Sequence, residues 1–190
     1  MVYNQAKPPN KEDPMNKISV EYQVTVSDFR RATYYGLVNQ HRTPLRIMAV
    51  VIAVAIVYAL LGSLLNLGGF NPLVVFLAAA YLVWGILLFA GAERRIRQYI
   101  GQKDCLVGCT YRMELESHRV EVAVPERKIR FSVPVNQLAC VIELSGMFLI
   151  YHTAQDAYIL PNRCLTDGQR ADLRANFRKK LGERFASRFK

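Results

Sequence analysis

The sequence predicts an α+β membrane protein: a two-helix transmembrane hairpin joined to an antiparallel β partial barrel, with a C-terminal amphipathic helix capping the barrel. Residues 47–92 contain no charged side chain and no histidine. From residue 110 onward, short runs alternate apolar and polar side chains, which is typical of strands. The 190-residue chain is 52% hydrophobic yet has a formal net charge of +10, which indicates an apolar block and a separate basic part.

The N-terminal segment, residues 1–17, is polar and rich in proline and lysine. It lacks the apolar core and cleavage site of a signal peptide, so we interpret it as a disordered tail. Whether Met15 is the true start stays open.

Residues 18–42 are expected to form a strand and a juxtamembrane helix. Ile18, Val20 and Tyr22 begin an alternating pattern, and Ser27 or Asp28 is a candidate helix cap. Because an isolated strand leaves an open edge, this strand is expected to pair with strands that follow the hairpin.

Residues 43–101 are predicted to form the hairpin and a cytoplasmic stalk. A single helix over residues 47–92 would be about 70 Å long, whereas a bilayer core is about 30 Å thick. Two spans, 47–67 and 71–91, are therefore expected. The residues between and beside them favour a turn: Asn66, Gly68, Gly69, Asn71 and Pro72.

Cations flank the two spans but not the turn. Arg42 and Arg46 precede the first span, and several arginines follow the second. The positive-inside rule therefore places both termini in the cytoplasm. A buried hairpin in a soluble protein is the alternative, and it is disfavoured because a domain of this size has too little chain to cover two apolar helices.

Small residues recur every four positions in the first span, at Ala55, Ala59 and Ser63, and allow close helix packing. Tyr58 and Tyr81 lie at similar predicted depth, and we interpret them as interhelix packing residues in preference to a ligand or lipid site. The spans contain no ionisable side chain of the kind that ion paths use, which disfavours a transporter or channel.

Residues 102–190 are predicted to form the β-rich domain and its terminal helix. Thr166 to Gln169 match a capping box. An apolar stripe follows at steps of four: Leu173, Phe177, Leu181, Phe185 and Phe189. The opposite, basic face is expected to contact anionic lipid headgroups or solvent. Nucleic acid is an unlikely partner, because no base-reading motif is present and the aromatics lie on the packing stripe.

The residue types needed for catalysis or metal binding are sparse. The four cysteines (Cys105, Cys109, Cys140 and Cys164) form no CxxC motif, and His118 and His152 are isolated. No glycine-rich phosphate loop occurs on the cytoplasmic side. We therefore expect no cofactor, no metal and no enzymatic activity.

The order of elements and the segment around residues 147–165 resemble the YcxB-like family of bacterial membrane proteins. The resemblance is carried by Phe148, Ile150 and Tyr151, by Ala157 to Pro161, and by Arg163. It covers roughly residues 18–185. It implies a pleckstrin-homology-like C-terminal domain, no assigned catalytic residues, and a location in the bacterial inner membrane.

The resulting hypothesis is a non-enzymatic, multi-pass inner-membrane protein that presents a cytoplasmic binding or scaffold domain. Its partners would be anionic lipids and an unknown protein or a second copy of the chain. The candidate binding surface is basic: Arg94, Arg95, Arg97, Arg163, Arg170 and Arg174. The alternative hypothesis is an assembly subunit that joins a larger membrane complex through its hairpin.

Overall fold

The computed structural model describes residues 17–64, 72–154 and 156–188, which form an α+β structure. The structure divides into two compact units. The described residues within 1–24 and 108–190 form one unit, and those within 25–107 form the other. The predicted N-terminal tail (except Lys17) and the hairpin turn (except Pro72) lie outside the described residues.

Thr25 begins the helical unit as the N-cap of α1 (Val26–Gln40). Its hydroxyl accepts a bond from the Asp28 amide, and the Asp28 carboxylate accepts one from the Thr25 amide. This is a capping box, which satisfies two amides at the start of the helix. The predicted caps were therefore wrong: the cap is Thr25, and Asp28 occupies the third helical position.

Two long apolar helices make up the rest of this unit, α2 (Arg42–Leu64) and α3 (Pro72–Ile100). The half-buried and buried positions of α3 include Ala78, Tyr81, Gly85 and Ala92. Their spacing of three, four and seven residues defines one face of a helix. Helix α3 ends at Ile100, one residue before the predicted end of the stalk at residue 101.

The other unit contains two four-stranded sheets. Sheet one has the order β1-β2-β3-β4, formed by β1 (Ile18–Gln23), β2 (Thr110–Leu115), β3 (Arg119–Val124) and β4 (Ile129–Pro134). All its neighbours are antiparallel. Ile18 pairs with Leu115, and Gln23 pairs with Thr110. The prediction that the first strand pairs with later strands is confirmed.

Sheet two has the order β7-β6-β5-β8. It is formed by β5 (Cys140–Leu144), β6 (Met147–Tyr151), β7 (Ala157–Pro161) and β8 (Phe185–Ser187). Strand β8 runs parallel to β5, and Val141 pairs with Phe185. This strand was not predicted. Phe185 is buried, but in a strand, so the predicted helical stripe ends earlier.

Helix α4 (Asp167–Leu181) covers sheet two. Thr166 is its N-cap, and Thr166 and Gln169 form the predicted capping box. Leu173, Phe177 and Leu181 are buried, and the Phe177 ring lies 6.4 Å from that of Phe148 on β6. Of the predicted stripe, Phe189 lies outside the described residues.

The core of the β unit follows the period of two that the sequence predicted. The buried residues of the first three strands alternate with more exposed ones: Ile18, Val20, Tyr22, Tyr111, Met113, Leu115, Val120, Val122 and Val124. The Tyr22 hydroxyl donates a 2.8 Å hydrogen bond to the Ile159 carbonyl of β7. This bond joins the edge strands of the two sheets, so β1 belongs to the core of a domain whose other strands all follow the apolar helices.

Candidate functional site

The two apolar helices are largely exposed. Both are long and apolar enough to cross a membrane, over Arg42–Gly62 and Pro72–Ile100. In the most apolar stretch of each, only 0% and 6% of the residues are buried. Apolar side chains such as Val50, Phe76 and Leu87 are between 62% and 69% exposed. Exposed apolar surface of this extent marks contact with a membrane or another apolar surface.

Three of the five predicted packing residues lie at partly covered positions of these helices. Ala55 and Ala59 are half-buried, whereas Tyr58 is 40% exposed. Tyr81 is half-buried on α3. Ser63 belongs to α2, but its side chain lies outside the part that the structure describes.

Gly85 is a buried position of α3 against the Met48 side chain of α2, and the sequence pattern did not single it out. A Cβ atom at this position would lie 3.0 Å from the Met48 Sδ atom. Such a distance is tighter than ordinary van der Waals contact, so the absence of a side chain at Gly85 leaves room for the Met48 side chain of α2.

The C-terminal end of α3 is rich in cations. Arg94, Arg95 and Arg97 are all exposed. The Arg97 Nε atom lies 3.7 Å from the Glu93 carboxylate. Glu93 also accepts a 2.8 Å bond from Arg30 Nη2 and a 2.9 Å bond from the Tyr34 hydroxyl, both on α1. This network fixes α1 against α3, and only the spacing of Glu93 and Arg97 signals it in the sequence.

The other three predicted binding residues lie in the β unit, each in a different environment. Arg163 is exposed, and its Nη2 atom donates a 2.9 Å bond to the Gln23 carbonyl of β1. Arg170 pairs with Asp167 at 2.7 Å in the first turn of α4. Arg174 is half-buried, and its two nitrogens bond the Glu143 carboxylate at 2.8 and 2.6 Å.

Glu143 is the central charged residue of the β unit, and the sequence analysis did not identify it. It is 0% exposed on β5. Its bidentate bond with Arg174 compensates a buried charge, and the carboxylate raises the pKa of the Arg174 guanidinium. The sequence did contain a signal. Glu143 follows Val141 by two residues, so it lies on the same face of the strand, where an apolar side chain is expected. Arg174 therefore has a structural partner, and its role in binding stays a prediction.

Arg184 likewise holds the fold together. Its guanidinium donates to the carbonyls of Leu138 at 2.9 Å and Asn136 at 3.1 Å. These bonds join the short turn between α4 and β8 to the turn before β5. Part of the basic character of the C-terminal segment therefore satisfies backbone carbonyls of the domain.

The histidines and cysteines that the sequence analysis considered for catalysis or metal binding lie apart from one another in different surroundings. The His152 ring stacks on Tyr158 at 5.0 Å and lies 4.7 Å from Phe131. His118 Nδ1 is 3.4 Å from the Lys180 ammonium. All four cysteines are free thiols. Within residues 17–64, 72–154 and 156–188, no group of three or more His, Cys, Asp or Glu side chains is arranged to hold a metal.

The segment that contains Glu143, Arg163, Arg170 and Arg174 has a recognisable family pattern. Residues 124–177 match the family model described as YcxB-like protein. This YcxB-like segment runs from the end of β3 through β4 to β7 and most of α4. The predicted resemblance is confirmed for these residues. No curated protein and no solved structure matches the chain.

Proposed function

We propose that the protein is a non-enzymatic integral membrane protein of the bacterial inner membrane. Helices α2 and α3 span the bilayer, and the unit that contains the YcxB-like segment lies in the cytoplasm as a binding or scaffold domain. The observation that carries the proposal is the exposure of two long apolar helices, of whose most apolar stretches only 0% and 6% is buried. Lipid is the environment in which such surfaces are stable.

The arrangement of strands supports a pleckstrin-homology-like partial barrel for this domain. Two four-stranded sheets joined by the Tyr22–Ile159 hydrogen bond, with helix α4 packed on sheet two, fit that architecture. Its ligand class is a protein, a peptide or an anionic headgroup. Of the three predicted binding arginines in the YcxB-like segment, Arg163 is the most accessible to such a ligand. Arg170 is 34% exposed beside Asp167, and Arg174 is bonded to the buried Glu143.

The cations that precede α2 and follow α3 support a topology with both termini in the cytoplasm. Reporter fusions at Gly69 and Lys190 test it. We expect alkaline phosphatase to be active only at Gly69 and green fluorescent protein to be fluorescent only at Lys190. An active phosphatase at Lys190 would contradict the proposal.

A second candidate is an assembly subunit of a larger membrane complex. It is favoured by an apolar ridge on α2, where Val50, Val54, Val57 and Leu61 are between 49% and 62% exposed at steps of three and four residues. A photo-crosslinker at position 54, in intact membranes, should capture a protein if this ridge is an interface. Capture of lipid alone would favour the first proposal.

A further inference from the structure

A groove in the helical unit has an apolar wall and a polar end. Its volume is about 580 Å³, within the range of about 300–1,000 Å³ typical of small-molecule sites. The apolar lining comes from α2 and α3: Met48, Ile52, Leu82, Ile86, Phe89 and Ala90. Leu82 and Ile86 are 50% and 59% exposed, so the groove presents apolar surface that an occupant would cover.

The polar end of the groove is formed by Tyr34 and Glu93. Two guanidinium groups, Arg30 and Arg97, lie within 4 Å of the Glu93 carboxylate. The side chains of these arginines are 44% and 78% exposed. Two cations against one carboxylate leave an excess of positive charge at the polar end of the groove.

The length of the groove matches one leaflet of a bilayer. From Leu82 to Glu93 the helix rises about 16 Å, and half of a hydrocarbon core is about 15 Å thick. If α2 and α3 span the membrane, the apolar wall therefore lies at the depth of acyl chains, and Arg30 and Arg97 lie at the level of headgroups.

We propose that this groove binds one acyl chain of an anionic phospholipid, whose phosphate is held by Arg30 and Arg97. The inference rests on the proposed membrane insertion of α2 and α3. The apolar wall selects an acyl chain, and the excess of guanidinium charge selects an anionic headgroup over a zwitterionic one. The groove is a lipid site of this chain, separate from the ligand surface of the YcxB-like segment.

Native mass spectrometry of the full chain in detergent tests the charge selection. Phosphatidylglycerol and phosphatidylcholine with identical acyl chains are supplied in equal amounts. We expect one phosphatidylglycerol to be retained preferentially. Arg97→Gln should lower that preference about fivefold, which corresponds to the roughly 1 kcal/mol that one cation contributes near a membrane surface. Arg46→Gln is the matched control, because Arg46 is exposed at the same end of the helix pair but lies on the side of α2 opposite to Met48, which lines the groove. It should leave the preference unchanged.

A second pair of variants tests the apolar wall. Ala90→Phe places a ring in the groove and should abolish retention of the lipid. Ala80→Phe places the same ring on an exposed position of α3 outside the groove and should leave retention intact. Equal retention of the two lipids by the native chain, or unchanged retention in Ala90→Phe, would overturn the inference.

Trp84 separates this inference from the proposed function, since it is the chain's single tryptophan and lies on α3. Brominated phosphatidylcholine in vesicles quenches a tryptophan that is inserted among acyl chains. Quenching of Trp84 without lipid selectivity would reject the groove and leave membrane insertion standing. Absence of quenching would reject the insertion and with it the lipid site.

Discussion

Glu143 and Arg174 show how one residue pair controls the stability of the β unit. The carboxylate is 0% exposed, and the Arg174 side chain is 31% exposed. A carboxylate in such a place is costly unless a cation and hydrogen bonds compensate it. The pair also joins β5 to α4, so its loss would affect the attachment of the helix to sheet two.

Substitution of Arg174 by Met should therefore destabilise the protein strongly. The variant leaves the Glu143 carboxylate buried without its guanidinium, which costs about 3 kcal/mol of unfolding free energy. Thermal unfolding of the full chain in detergent, followed by protease resistance of the β unit, measures the loss.

Two controls test whether the charge pair is the cause. Arg178→Met removes an exposed arginine one turn further along α4 and should change the melting temperature little. Replacing Glu143 and Arg174 together by Met should recover most of the stability, because no uncompensated charge remains. A double variant as unstable as Arg174→Met alone would contradict this account.

Tyr22 offers a second residue-scale prediction, which concerns pH. Burial raises the pKa of its phenol well above the ordinary value. The folded state holds the phenol proton more tightly than the unfolded state does. The resulting contribution to the free energy of unfolding is complete below the ordinary pKa of about 10. It is lost as the pH rises toward the folded-state pKa.

Tyr22→Phe should remove both the bond to Ile159 and this alkaline sensitivity. Leaving the carbonyl unpaired costs about 1–3 kcal/mol at neutral pH. Melting curves from pH 7 to 11 should show a smaller alkaline loss in the variant than in the native chain. Parallel loss in both chains would show that other groups govern the alkaline transition.

At the scale of elements, Gly85 on α3 makes room for the Met48 side chain of α2. Gly85→Leu should destabilise the helix pair, because the leucine would displace the Met48 Sδ atom, which would lie 3.0 Å from even its Cβ atom. Melting temperature in detergent measures the effect.

Gly91 provides the matched control on the same helix, since a Cβ atom there would meet nothing within 4 Å. Gly91→Leu should be neutral or stabilising by up to about 1 kcal/mol, because leucine has the higher helix propensity. If both substitutions had the same effect, the close contact at Gly85 would not limit the packing of the two helices.

At the scale of the whole molecule, the chain completes one domain with strands from both sides of the apolar helices. The Gly108 amide donates a 3.0 Å bond to the Val24 carbonyl, so the two ends of the β unit at residues 24 and 108 are adjacent. A short connection can therefore replace residues 25–107 without stretching the backbone.

A chain that joins residues 17–24 to residues 108–190 by a short Gly-Ser linker should fold as a soluble domain. Residues 108–190 alone should aggregate, because β2 loses its neighbour and exposes an edge and the Met113 side of the core. Two-dimensional NMR spectra compare the two chains. Equal dispersion in both spectra would show that β1 is dispensable.

The local chemistry of the sequence was enough to predict most elements. The uncharged run gives two long apolar helices, the period of two gives the strands, and Thr166 with Gln169 gives the cap of α4. These features depend on neighbours within a few residues, so the chain alone carries them. The resemblance to the YcxB-like family, confirmed for residues 124–177, also came from such local patterns.

Tertiary structure decided which side chains act together. Glu143 meets Arg174 across 31 residues, and Tyr34 meets Glu93 across 59. The parallel pairing of β8 with β5 and the groove beside Gly85 depend on the same kind of distant approach. A sequence records periodicity along one element, whereas the partner of a buried charge or an unpaired strand edge is fixed only when separate elements pack. Local sequence patterns therefore determined the helices and strands of this protein, and packing determined which of its basic residues hold the fold and which are exposed for a ligand.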